Sequence, residues 1–153
     1  MFSGTLSVCL RVEDLPQAVR FYTALGFTEV EGGMAGRSAV MPRGSARLFL
    51  MNFGADSLNF RGADAFAVKD HLQRLGESAP GEPESQDDGG DAWLTEDPAG
   101  HMLFFNTHAQ ETTAEHRQAE VARILHGAVQ DLTDVGPDAS CVAAMRSVAE
   151  RFG

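Results

Sequence analysis

Two arginines fifty residues apart, Arg11 and Arg61, are side chains that could anchor an anionic group. A guanidinium holds a carboxylate or phosphate through two parallel hydrogen bonds. Either arginine could equally pair with an acid in its own neighbourhood. Each closes a short alternating run, Ser7-x-Cys9-x-Arg11 and Ser57-x-Asn59-x-Arg61. In an extended chain, alternate side chains share a face. Cys9 would be a nucleophile only with a lowered pKa; otherwise it is a small buried hydrophobe. Trp93 and Phe104 could stack on an aromatic ligand or simply pack. His101 follows the turn Glu96-Asp97-Pro98-Ala99-Gly100, where it either steadies the turn or serves as a general acid or base. His108, His116 and His126 show no metal-ligand spacing and read as surface residues.

The elements that must position these residues come in two copies. Ser7 to Gly26 reads SVCLRVEDLPQAVRFYTALG, and Ser57 to Gly76 reads SLNFRGADAFAVKDHLQRLG. Without a gap, serine opens both, Arg11 matches Arg61, Asp14 matches Asp64, and Leu25-Gly26 matches Leu75-Gly76. A fixed-offset repeat indicates a duplicated structural unit. In the first copy, 6–12 alternates as a strand. Asp14 is the expected N-cap, with Pro16 in the first turn. Leu15, Ala18, Val19, Tyr22 and Leu25 have helical spacing, and Gly26 stops the helix. Residues 37–41 and 46–53 read as strands about the turn 42–45, with a further short strand at 28–31.

The second copy repeats the plan. Residues 58–63 form a strand, Asp64 caps a helix, and Ala65, Val68, Leu72 and Leu75 line its buried face. Residues 92–95 and 102–107 are strands. The Gly-, Pro- and acid-rich stretch 76–91 reads as a mobile loop. From Gln110 the repeat is over. Thr112 and Glu115 have capping-box spacing, which starts a helix there. That helix, to about Leu132, would place Val121, Ile124, Leu125, Ala128 and Val129 on one side. Gly136-Pro137 breaks it. Asp138 would cap a last helix carrying Val142, Met145, Val148, Ala149 and Phe152 on one stripe. Two such helices have no core of their own and must pack on the repeated domain or on a second subunit.

Bulk properties narrow the function. The chain has 153 residues, enough for one compact domain. The formal net charge of −10 argues against nucleic acid or an anionic membrane as partner. No apolar run approaches the length of a membrane helix, and no signal peptide is evident. Two cysteines, Cys9 and Cys141, fit reduced thiols in the cytoplasm. Between Arg74 and Arg117 there is no Lys or Arg, while acids are frequent. That stretch is a solvated loop or an electrostatic lid that draws a cationic ligand inward.

The segments LRVEDLPQAVRFYTALGF (10–27) and EDPAGHMLFFNT (96–107) resemble the vicinal oxygen chelate superfamily of glyoxalases, extradiol dioxygenases and bleomycin-resistance proteins. The resemblance covers about 5–108. It implies an α+β fold of two tandem βαβββ modules, about 5–54 and 57–108, whose sheets curl around a cleft in one domain, 1–108. Residues 109–153 would be a C-terminal helical extension outside it. In metal-using members four strands each supply one ligand, usually His, Glu or Gln. The resemblance places these at Ser7, at Leu48 or Leu50, at Ser57 and at Phe104. Serine is a poor neutral ligand, and leucine and phenylalanine are none. No metal and no other cofactor is therefore expected, and metal-dependent glyoxalase or dioxygenase activity is not.

A cleft with apolar walls and a few convergent polar groups suits a small molecule. Strand parity assigns to it Ser7, Cys9, Arg11, Leu48, Leu50, Asn52, Ser57, Asn59, Arg61, Met102, Phe104 and Asn106, with Trp93 as a further stacking candidate. The resulting expectation is a metal-independent binding protein resembling the bleomycin-resistance branch, sequestering a cationic or aromatic antibiotic as a cytoplasmic homodimer. Two alternatives stand beside it. One is a lyase, isomerase or dioxygenase of the same superfamily. The other is an interaction protein that uses its helical tail.

Overall fold

A computed structural model describes residues 5–77, 79–136 and 139–151. The first copy folds as β1 (Thr5–Arg11), α1 (Leu15–Ala24), β2 (Ser38–Arg43) and β3 (Ala46–Met51). The second folds as β4 (Ser57–Arg61), α2 (Ala65–Arg74), β5 (Glu84–Ser85), β6 (Asp91–Glu96) and β7 (Met102–Thr107). A 3-10 turn (Ala109–Thr112) then leads to α3 (Ala114–Val135) and α4 (Ala139–Ala149). The strands form one mixed sheet in the order β2-β3-β1-β4-β7-β6-β5. The modules therefore join through their first strands, β1 and β4, which run antiparallel.

Both helices begin as the repeat requires. Asp14 Oδ1 accepts from the Gln17 amide and Asp64 Oδ1 from the Ala67 amide, each at 2.8 Å, satisfying orphan N–H groups of the first turn. Both stop at a glycine with positive φ, +90° at Gly26 and +78° at Gly76, a conformation that favours glycine. Leu25 and Leu75, expected on the buried faces, lie just past the last helical turns. They are exposed.

The helices α1 and α2 pack on the same side of the sheet, each against its own module. Leu15 of α1 packs with Ala39, Met41 and Leu50 of the sheet. Val68 of α2 packs with Ala63, Trp93 and Phe105, and Phe105 stacks on Phe60 at 4.7 Å. Each large side chain so buried contributes about 2 kcal/mol. The strand expected at 28–31 is reduced to a single bridge between Val30 and Val40. The stretch 76–91, read as a loop, carries the two-residue β5 paired to β6.

The tail differs by one residue from its expected start. Thr113, not Thr112, is the N-cap of α3, and its Oγ1 accepts from the His116 amide at 3.2 Å. The buried positions of α3 are Ala122, Gly127 and Val129, while Val121 and Ile124 are exposed. The expected cap Asp138 and the apolar Phe152 lie outside the described residues. Among the described residues no helix is long and apolar enough to cross a membrane.

Candidate functional site

The sheet face opposite α1 and α2 carries the candidate site; we call it the inner face. Its composition follows from register. Ser7 pairs with Asn59, Cys9 with Ser57 and Thr5 with Arg61. In the parallel pairs Cys9 lies level with Phe49, Asn59 with Phe104 and Arg61 with Asn106. Residues level across paired strands point to the same face. The structure therefore brings Ser7, Cys9, Ser57, Asn59, Arg61, Met102, Phe104 and Asn106 onto one surface. Arg11 belongs to it as well, at an exposed end.

Four expected site residues are elsewhere. Leu50 is level with Leu10 and fully buried under α1. Leu48 shares that face and packs against the same cluster. Trp93 is a core residue under α2: it stacks on Phe105 at 5.6 Å, and its Nε1 donates to the Pro80 carbonyl at 3.1 Å. Asn52 follows the end of β3, is exposed, and donates through Nδ2 to the Gly36 carbonyl at 3.2 Å. The error in β3 was one of parity, because a one-residue shift exchanges the two faces of a strand. Arg47, Phe49 and Met51 hold the inner face instead.

The register also places the four positions that the resemblance would give to metal ligands. Phe104 is level with Asn59, two residues after Ser57. Its equivalent in the first module is level with Cys9, two residues after Ser7, and that is Phe49. The repeat showed this: Leu48-Phe49-Leu50 in β3 matches Leu103-Phe104-Phe105 in β7. The second module's longer connection shifts the offset and hides it from a gapless comparison. The four positions are thus Ser7, Phe49, Ser57 and Phe104. Two neutral hydroxyls and two phenyl rings do not fit a divalent ion. Among the described residues no group of three or more His, Cys, Asp or Glu could hold one.

Across the sheet, Phe49 on β3 and Phe104 on β7 lie to either side of the polar residues of β1 and β4. Ser7 and Cys9 are buried, while Phe49 and Phe104 are half-buried. Burial pushes the Cys9 thiol above its usual value, and the Ser57 and Asn59 side chains beside it oppose that only in part. Cys9 is therefore a neutral thiol near pH 7, unsuited to nucleophilic attack. Asn59 Oδ1 and Asn106 Oδ1 are buried and have no hydrogen-bond partner among the described residues.

The tail closes one end of this face. With 22 residues, α3 is about 33 Å long, enough to cross several strands. Before it begins, Glu111 Oε1 accepts from Arg61 Nε at 2.6 Å, and its Oε2 accepts from the His108 amide at 2.8 Å. Further along, Glu120 holds Arg123 through two hydrogen bonds at 2.8 and 2.9 Å, beside Arg47 and Thr5. Beyond that, Asp131 accepts from the Ser45 amide at 2.9 Å. Gly127 lies against the β2–β3 turn so closely that a β-carbon there would overlap the Gly44 carbonyl. None of these tail contacts was read from the sequence. An acid on a helix does not announce which strand it faces.

The histidines and the acids of the second module are engaged locally. His101 Nδ1 lies 2.8 Å from Asp97 Oδ2 within its turn. His108 pairs with Asp88. Glu82 pairs with Lys69, and Asp91 Oδ2 accepts from the Ala65 amide at 3.2 Å.

No family model matches the chain. No curated protein matches it. Solved structures do. A glyoxalase/bleomycin resistance protein/dioxygenase superfamily member from Vibrio splendidus 12B01 aligns at 13% identity with a TM-score of 0.54, over 67% of this chain and 97% of that one. A structure described as an NAD-dependent benzaldehyde dehydrogenase from Legionella pneumophila aligns at 17% identity and TM-score 0.52, over 67% and 98%. A protein from Staphylococcus aureus gives 11% and 0.51, over 71% and 99%. The likeness is one of fold, and the fold is that of the vicinal oxygen chelate superfamily. These neighbours are covered almost end to end, so the rest of this chain has no counterpart in them.

Proposed function

We propose that this chain is a metal-independent binding protein for a planar aromatic small molecule, of the kind that sequesters an antibiotic. The observation that carries the reading is the set Ser7, Phe49, Ser57 and Phe104 at the four equivalent positions of the two modules. A ring placed between two half-buried phenyl groups gains stacking and buried area. Serine hydroxyls and the unpartnered oxygen of Asn59 supply directional hydrogen bonds. The thiol of Cys9 contributes packing, not reaction. The assembly we propose is a homodimer, with the exposed Val121 and Ile124 of α3 available to a second copy.

Calorimetric titration of metal-depleted protein with bleomycin-type and other planar aromatic drugs tests the reading. Micromolar binding that weakens at least tenfold in Phe104→Ala is the expected result. Elemental analysis and sedimentation velocity on the same preparation complete the test. A stoichiometric divalent ion, or no binding by any planar aromatic compound, sinks the metal-independent reading; a monomer at micromolar concentration removes the dimer.

A further inference from the structure

At the end of the inner face covered by the tail, charges do not balance. Arg47 lies within electrostatic reach of two further guanidiniums, Arg61 and Arg123, and of two carboxylates, Glu111 and Glu120, among the described residues. Glu111 is committed to Arg61, and Glu120 to Arg123. The remaining cation, Arg47, has no carboxylate within ion-pair distance among the described residues, although it is not exposed. Arg123 Nη1 is buried and has no hydrogen-bond partner among the described residues. His116, 3.9 Å from Glu111, adds no negative charge.

An unpaired guanidinium and an orphaned N–H donor are each costly to bury. Their coincidence at one end of the inner face has a simple resolution. We propose that Arg47 and Arg123 bind a monoanionic group, a carboxylate or a phosphoryl oxygen pair, carried by the ligand of this cleft. The charge count sets the valence: one anion neutralises the cluster. Register sets the position. Arg47 is level with Ser7 and Asn59, so a ring between Phe49 and Phe104 can extend its acid towards α3. Burial together with the neighbouring charges of Arg123 and Arg61 holds the Arg47 guanidinium below its ordinary pKa, as expected for a cation awaiting a counter-ion. The inference rests on the cleft reading above for the aromatic part of the ligand, but not for the anion.

Two probes separate the parts. Inorganic phosphate tests the anion site alone. Benzoate and its uncharged isostere benzamide test the acid in the presence of a ring. Millimolar phosphate should raise the thermal midpoint of the full chain, and benzoate should bind about tenfold or more tightly than benzamide. Arg47→Met, which keeps much of the stem, should abolish both effects. Glu120→Gln raises the surplus positive charge and should tighten phosphate binding; a fall in a folded variant counts against the site. Benzamide binding equal to benzoate binding, with no phosphate effect, overturns the anion site and leaves the aromatic cleft standing. A phosphate effect without binding of either ring does the reverse. If phosphate and benzoate are both without effect, the proposal is overturned.

Discussion

Arg11 and Arg61 hold the same place in the two modules, yet their surroundings are opposite. Arg61 donates to Glu111, whose side chain is only 10% exposed. Arg11 is exposed, and among the described residues no carboxylate lies within ion-pair distance of it; only its backbone amide is engaged, by Asp56. The pseudo-symmetry of the repeat gives the inner face two similar ends. The tail breaks that symmetry by closing one. Duplication supplies a scaffold, and a segment outside the duplication makes its two halves differ. The end that the tail covers is also the end where the cationic groups gather.

The comparison breaks most completely if the tail is dislodged. Gly127 has no room for a β-carbon against the Gly44 carbonyl, and both contacting atoms are backbone. Neither can move as a side-chain tip would. Gly127→Ala should therefore cost roughly 2–3 kcal/mol of docking, the upper part of the range for overpacking. Hydrogen exchange along α3 should rise while exchange in β1 and β4 stays slow. Unchanged protection in α3 would mean that the β2–β3 turn does not seat the helix.

This asymmetry was the part least legible in the sequence. Helix caps, glycine stops and the order of strands could be read because each is a local signal: Asp14 and Asp64 cap within three residues of themselves. The inner-face residues of β1, β4 and β7 followed from period-two alternation. In β3 the parity was wrong because Leu48 to Met51 is apolar throughout, so alternation carries no information there. Trp93 was misplaced because a large aromatic residue suits a core as well as a ligand. Glu111, Glu120 and Arg123 could not be seen at all, because their partners lie between 3 residues (Arg123 and Glu120) and 115 residues (Glu120 and Thr5) away and only the path of the chain selects them.

A smaller effect separates the two arginines directly. Arg61→Ala leaves Glu111 without its guanidinium in a mostly covered position. Because Arg61 is itself 39% exposed, solvent screens part of the loss. A destabilisation of about 1–2 kcal/mol is expected. Arg11→Ala, at the equivalent place, should lie within about 0.5 kcal/mol of the parent. Urea denaturation of both variants measures the difference. Equal values would show that the Glu111 contact adds nothing to folding.

The smallest effect is in the response to acid, where module and tail should move in opposite directions. Burial pushes the Glu120 carboxyl up, but the hydrogen bonds from Arg123 and the charges of Arg123 and Arg47 outweigh it. Its pKa lies below the ordinary 4.5. A carboxylate held low when folded stabilises fully above its unfolded value, and that contribution is lost as pH falls through the folded value. Tail docking should thus hold from neutrality to about 4.5 and weaken below it. Asp91 is the opposite case. Burial, reinforced by nearby Asp64, raises its pKa above 3.8 despite the hydrogen bond from the Ala65 amide. Its ionised form costs stability near pH 7, and protonation relieves the cost as pH falls through the raised value. Asp91→Asn keeps a cap oxygen for Ala65 and removes the charge. The variant should melt about 1–2 °C higher than the parent at pH 7 and converge with it near pH 4. A constant difference across that range would mean that Asp91 titrates as an ordinary surface acid. The contrast between tail and module in acid would then rest on Glu120 alone.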